Sequence, residues 1–455
     1  MNTTTRNPIT EGKIGKEMLI FFFPILFGSL FQQIYNAADA LIVGRYLGKI
    51  ALSAVGGSSG MIVMLIVGFF IGLASGAAVL VSQYYGSGNE KNVSRSVHTV
   101  MAFSIVCGGV IMVLGIWLAP VMLGWMHTPE DTMEWSIIYL RVYFAGMIGN
   151  LIYNAGSGIL RAVGDSRRPF IFLVVCCLLN VVLDLLFILV IPMGVFGAAL
   201  ATILSQAVSA VLVIVVMARR KDACRLKLRE LRMDRRILMK MIRVGLPAGL
   251  GSVMYGLSNT IIQVGVNGLG TDYVAAWATY YKIDGVFWTT IQAFGIAGAT
   301  FVGQNIGARR DDRVRKSVWV CMGQAAFSSV LLSVLIYLIC PWLFPLFSTD
   351  AGVNAVGVAM MRYLTRFYVL FVAIEILSGV LRGAGDTFVP MLISGIGVCL
   401  IRSSWILLVL PKHHDMYTMM NSYPISWGIS SVAFFIYLLG FSKLKPYLRR
   451  NRPAI

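Results

Sequence analysis

The sequence predicts an all-α membrane protein of twelve spans, arranged as two six-helix lobes related by a pseudo-two-fold axis along the membrane normal. Three observations predict it. Of 455 residues, 58% are hydrophobic and only 13% are charged, with a mean hydropathy of +0.79. A soluble domain of this size needs a far larger charged shell against water. The apolar residues fall into twelve runs of spanning length, since a helix of roughly 20 residues crosses the hydrocarbon core. Short motifs in the first half recur, in order, in the second.

The runs are 17–43, 51–81, 97–121, 135–160, 169–191 and 194–217, then 244–267, 273–303, 317–346, 356–381, 388–410 and 423–441. They are spans one to twelve below. The polar residues 1–16 ahead of the first run fit no cleavable signal. The formal net charge is +18. With the N-terminus inside, thirty of the 38 Lys and Arg residues fall in cytoplasmic segments, and only Arg45, Lys49 and Lys412 fall in outer loops. This asymmetry is the positive-inside bias and places both termini in the cytoplasm. It also removes the need for a nucleic-acid partner, which would require a basic face on a soluble domain. The seven cysteines are scattered, form no CxxC pair, and read as packing residues.

The repeat carries most information. Gly158-Ile159-Leu160-Arg161-Ala162-Val163-Gly164-Asp165 returns as Gly379-Val380-Leu381-Arg382-Gly383-Ala384-Gly385-Asp386. The same offset of 221 relates Pro169 to Pro390, Gln83 to Gln304, Gly86 to Gly307 and Arg141 to Arg362. In span one the offset is 223, relating Pro24, Gly28 and Asn36 to Pro247, Gly251 and Asn259. Apolar similarity alone would not keep Arg and Asp in register. Six spans per copy give both copies one orientation, the parallel type of repeat. The domains are then 1–217, a basic cytoplasmic linker 218–243, and 244–455. Two similar lobes that rock about a central cavity make an alternating-access transporter.

Carboxylates inside spans are costly and mark function by default. Asp39 lies five residues before Gly44, roughly 7 Å along a helix, and Asp184 eight before Pro192, roughly 12 Å. Thr202 lies about as deep in span six. Asn180 and Asp184, four apart, share a helix face. Carboxylate, amide and hydroxyl oxygens suit Na⁺. Two close carboxylates equally suit a proton. The alternative is that both Asp residues merely bond neighbouring helices. The second lobe differs: Ile262 and Trp405 stand where the offset puts Asp39 and Asp184. Its own charges are Lys282, Asp284, Glu375 and Arg402, for which mutual pairing is the reading preferred over a cation site. Asn36 and Tyr35, near Asp39, with Asn154, Tyr281, Trp288 and Glu375, are candidates for lining the substrate cavity. The span-eight aromatics Trp277, Tyr280, Tyr281, Phe287 and Trp288 suit either flat cationic cargo or the interface with lipid.

Two turns and one motif remain. Arg161/Asp165 and Arg382/Asp386, four apart at the ends of spans four and ten, read as paired caps. Gly57-Ser58-Ser59-Gly60 matches the signature of an intramembrane serine protease. None of the four histidines lies at mid-span to serve as its base, so the run reads as small residues that let helices approach. With neither a P-loop nor an HExxH pattern, neither direct ATP drive nor zinc chemistry is expected, and the chain reads as no enzyme.

The duplicated G-x-L-R-x-x-G-D turn, the Ser82-Gln83 and Gly303-Gln304 ends of spans two and eight, and the twelve-span layout resemble the multidrug and toxic compound extrusion (MATE) family, closest to its bacterial NorM and DinF types. The resemblance covers almost the whole chain. It implies a secondary antiporter that exports small organic, mostly cationic, drugs in exchange for Na⁺ or H⁺, without another cofactor, as a monomer in the bacterial inner membrane. It also implies Asp39, Asn180, Asp184 and Thr202 as the cation site, with Asp39 and Asp184 holding the metal ion if sodium is the coupling ion. A bend of span one at Pro24 is a further implied feature. A flippase for lipid-linked precursors of the same superfamily is the alternative; acidic candidates in the first lobe favour cationic cargo.

Overall fold

The computed structural model describes residues 7–449. Arg6, Arg450 and Arg452, counted above among the basic segments, lie outside them. The described chain is almost wholly helical and holds no strand. Ten helices are long and apolar enough to cross a membrane, and two bent pairs pass the same test together, making twelve candidate spans. Each corresponds to one predicted run.

Spans four and ten depart from straight rods. Span four is Glu130–Ala145 joined to Met147–Ala162 at 50°, and span ten is Ala351–Thr365 joined to Tyr368–Gly383 at 56°. The breaks fall at Gly146 and at Arg366-Phe367, again 221 residues apart. Hydropathy runs unbroken across both, which is why the runs give no sign of them. Span two is broken as well, with Gly57 separating Gly48–Gly56 from Ser58–Gly86. Here the reading of the Gly-Ser run needs correcting. A Cβ on Gly57 or Gly60 would meet only the carbonyls of Ser53 or Val55 in its own segment, and no other helix. These two glycines mark the break in the span and do not themselves serve helix approach.

The helices pack as two compact units, Phe23–Gly249 (the central unit) and the stretch up to Phe22 with the chain from Leu250 onward (the terminal unit). The divisions fall within spans one and seven, near Pro24 and Pro247, and not at the linker 218–243. Packing chemistry accounts for this. In the central unit, the first half of span seven (Arg235–Asn267) lies against span two through glycines four apart on both helices. A Cβ on Gly76 would sit 2.5 Å from Gly245 N, and one on Gly245 would sit 2.2 Å from the Leu73 carbonyl oxygen. Small residues at this spacing let two backbones touch, the main source of helix association where lipid supplies no hydrophobic drive. In the terminal unit, the start of span one (Ile14–Tyr46) is held by aromatic rings. Phe22 stacks on Phe294 with centroids 3.9 Å apart, and Phe21 meets Phe301 edge-on at 6.0 Å.

The duplicated turns are helix caps built on one pattern. The Asp165 N–H donates to Leu160 O and the Gly164 N–H to Arg161 O, both at 2.9 Å. In the second copy Asp386 donates to Leu381 O (2.9 Å) and Gly385 to Arg382 O (2.8 Å). Gly164 and Gly385 have φ of +96° and +72°, the left-handed conformation such a cap requires and glycine adopts without strain. The predicted Arg–Asp pairing within each turn does not form. Asp165 instead accepts from the Arg168 N–H at 3.2 Å and pairs with Arg168 and Arg220. Asp386 accepts from the Tyr437 hydroxyl at 2.8 Å and the Lys443 N–H at 3.2 Å. Each carboxylate ties its turn to the end of its repeat's sixth span.

Candidate functional site

The central unit gathers the carboxylates. Asp184 closes the regular part of span five (Arg167–Leu185), just before a wider π turn, Leu186–Val190, in which the Ile191 N–H reaches back five residues to Leu186 O. Single turns of this kind are frequent at functional sites because they re-aim neighbouring side chains. Asp184 and Asn180 are both fully buried, one helical turn apart. The Asp184 carboxyl faces that of Asp39 on span one, at hydrogen-bonding range when one of them holds a proton. Asp39 Oδ1, both Asp184 oxygens and both polar atoms of the Asn180 amide are buried without a hydrogen-bond partner among the described residues. A buried polar atom left unpaired costs about 1–3 kcal/mol, and more when charged. Two facing carboxylates of like charge need a proton or a cation between them. The donor set is all oxygen plus one amide, the chemistry of a hard cation.

The other predicted residues are placed less uniformly. Thr202 is buried on span six (Gly194–Arg219), but its hydroxyl donates to Ala198 O at 3.1 Å in its own helix, and no hydrogen bond joins it to the carboxylates. Tyr35 lies within electrostatic reach of Asp39, whereas Asn36 is exposed on the same helix. Asn154 donates to the carbonyl and side-chain oxygens of Asn150 at 2.9 and 3.0 Å, and Asn150 donates to Gln206 Oε1 at 3.3 Å.

Two residues escaped the sequence reading. Tyr139 and Tyr143, stacked on each other with centroids 6.1 Å apart, are buried on span four, and Tyr139 lies within electrostatic reach of both Asp39 and Asp184. A signal existed. Tyr139, Tyr143, Asn150 and Asn154 recur at intervals of four, seven and four, a one-face polar stripe through an apolar run.

In the terminal unit, the expected pairing among Lys282, Asp284, Glu375 and Arg402 is not found: no two of them form an ion pair. Asp284 is instead held by neutral donors, with the Tyr368 hydroxyl and the Trp288 indole N–H each donating to one of its oxygens. Arg402 is only 2% exposed. Its guanidinium lies 4.1 Å from the Tyr423 ring centre and 5.9 Å from that of Trp427. Its Nη2 reaches Ser426 Oγ at 3.4 Å, and its Nε is unpartnered. Lys282 sits 5.6 Å from the Phe347 ring centre. Stacking on aromatic faces replaces the carboxylate a buried guanidinium would otherwise need. Trp277, Tyr280 and Phe287 are buried in this same aromatic cluster, Tyr281 is exposed, and Glu375 is half-buried beside Gly295.

A family profile described as MatE matches residues 24–186 and again residues 247–405, so the profile itself starts twice, at Pro24 and at Pro247. The probable multidrug resistance protein YoeA of Bacillus subtilis is 28% identical over 405 residues, 87% of this chain and 87% of that one. The probable multidrug resistance protein NorM of Thermotoga maritima is 28% identical over 397 residues, 85% of this chain and 83% of the other. Among solved structures, a MOP-superfamily transporter from Pyrococcus furiosus is similar in fold, with a TM-score of 0.88 at 23% identity, covering 96% of this chain and 98% of that one.

Proposed function

The chain belongs to the MatE family of multi-pass membrane transporters, and from that premise we propose that it is a secondary antiporter. It exports small organic cations across the bacterial inner membrane in exchange for Na⁺ or H⁺, by alternating access, with both termini in the cytoplasm. The observation that carries this reading is the facing, buried and otherwise unpartnered carboxylates of Asp39 and Asp184. An arrangement that costs stability in either charge state is retained where a site must take up and release a cation. Asp39, Asp184 and the Asn180 oxygen would hold Na⁺. If H⁺ is the coupling ion, the same two carboxyls share it. The bound cation neutralises the pair, and that is the chemistry it supplies. Tyr35, Tyr139 and Tyr143 keep the site walled by phenol groups, and the Asn154–Asn150–Gln206 chain joins spans four and six beside it. Cationic cargo and coupling cation then compete for one acidic interior, which makes the exchange obligatory. The multidrug names of the relatives support cargo of this class.

The test is substrate efflux from proteoliposomes under an imposed sodium gradient and, separately, a proton gradient. Efflux driven by one of the two supports the reading. Efflux indifferent to both overturns it.

A further inference from the structure

The linker between the repeats is not a loose tether. Cys224 and Leu226 are buried, and the Lys227 N–H donates to His98 Nε2 at 3.1 Å. His98 Nδ1 lies 2.7 Å from the Ser94 carbonyl oxygen, so its proton belongs on that nitrogen. The Asp234 N–H donates to Thr99 Oγ1 at 3.1 Å. The segment 229–234 is thereby fastened over the first turns of span three (Glu90–Trp125), and a half-open cavity of about 350 Å³ lies between them.

Its walls are basic in excess. Arg95, Arg229 and Arg232 face it, with Glu230 and Asp234 as the acids. Both acids are already engaged. Glu230 pairs with Lys227 at 2.9 Å, and Asp234 lies 3.8 Å from Arg95 and accepts from the Arg236 N–H at 2.9 Å. Arg229 and Arg232 have no ion pair or hydrogen bond to any described residue. Two guanidiniums without an ion pair or hydrogen bond on one cavity, with the Thr99 and Ser94 hydroxyls beside them, match the oxygens of a phosphate group. Leu228 and Met233, flanking the arginines, are 60% and 45% exposed. Projecting apolar side chains among arginines, at the ends of apolar spans, fit the boundary between headgroups and acyl chains, where each basic residue adds to binding of anionic lipid. A soluble phosphate would use the arginines alone. A lipid uses both features.

We propose that this linker cavity binds the phosphate headgroup of an anionic membrane lipid and so moors the connection between the two repeats to the bilayer surface. The test titrates the unfolding midpoint of the detergent-purified chain with phosphatidylglycerol, with phosphatidylcholine and with inorganic phosphate. Phosphatidylglycerol is expected to raise the midpoint saturably, and the other two are expected to leave it in place. Combining Arg229→Gln with Arg232→Gln should raise the phosphatidylglycerol concentration needed roughly 30-fold, the loss expected for two basic residues. Combining Lys221→Gln with Arg225→Gln removes the same charge from the linker outside the cavity and should titrate like the unaltered chain. Equal weakening in both double variants, no shift with phosphatidylglycerol, or the same shift with inorganic phosphate would each overturn the proposal.

Discussion

The two repeats share a fold and fill its interior with opposite chemistry. In the central unit the buried atoms without partners among the described residues include carboxylate oxygens, those of Asp39 and Asp184, beside the Asn180 amide. In the terminal unit they include the Arg402 Nε–H and the Trp427 indole N–H, while the buried carboxylate of Asp284 is satisfied by Tyr368 and Trp288. The substitutions fall at matching positions. Thr202 and Gln206 of span six correspond, at the offset of 221, to Tyr423 and Trp427 of span twelve, and Asp184 corresponds to Trp405, whose indole donates to Thr418 O at 2.8 Å. Duplication kept the helix caps, the bends and the span order, and then diverged inside. One repeat has an interior with facing, unpartnered carboxylates, and the other carries a buried guanidinium stacked on aromatic rings.

That comparison can be broken most severely at the carboxylates. Asp39→Asn and Asp184→Asn are each expected to reduce coupled drug efflux from cells to the level of cells lacking the gene, with unchanged amounts of protein in the membrane. Efflux at the unaltered rate from either variant would dissolve the contrast. The next effect is structural and sharpens the second contrast, glycines against rings. Gly76→Val drives a side chain into the Gly245 backbone and should cost about 3 kcal/mol in thermal or denaturant unfolding. Ala297, at the matching place in span eight, already carries a Cβ, and Ala297→Gly should cost no more than about 1 kcal/mol. Smaller again, Tyr368→Phe removes one of two donors to Asp284 and should cost about 1–2 kcal/mol while leaving the cation dependence of efflux unchanged.

The smallest effect belongs to a carboxylate that is scaffold only. Asp415 caps span twelve (Met416–Gly440), accepting from the Thr418 N–H at 2.9 Å and from its hydroxyl. Those two Thr418 donors hold its carboxyl below the usual range. A depressed carboxylate contributes stability above its unfolded pKa and loses it as pH falls through the lower folded value. Asp415→Ala should therefore cost about 1 kcal/mol at neutral pH, with the difference from the unaltered chain shrinking in acid and efflux unaffected. The gradation from Asp184 to Asp284 to Asp415 tests whether the first acts in coupling where the other two hold structure.

Much of the architecture was legible because membrane helices announce themselves by length and hydropathy, and because Arg and Asp in register betray a duplication. Asp39 and Asp184 were legible for the same reason: a carboxylate in an apolar run has no cheap explanation. Tyr139 and Tyr143 were passed over because tyrosine counts as neither clearly polar nor apolar along a span. The bends at Gly146 and Arg366-Phe367 leave no mark on hydropathy. The partners of Arg402 were misjudged because sequence reading pairs charges with charges, whereas an aromatic face about four to six ångströms away carries no motif.

The most direct measurement compares Asp184→Asn with Asp284→Asn in proteoliposomes under whichever cation gradient drives the unaltered chain. If the coupling site lies in the first repeat, Asp184→Asn loses all gradient-driven efflux and Asp284→Asn retains it, at a reduced protein stability. Gradient-driven efflux that survives in Asp184→Asn and vanishes in Asp284→Asn would contradict the account.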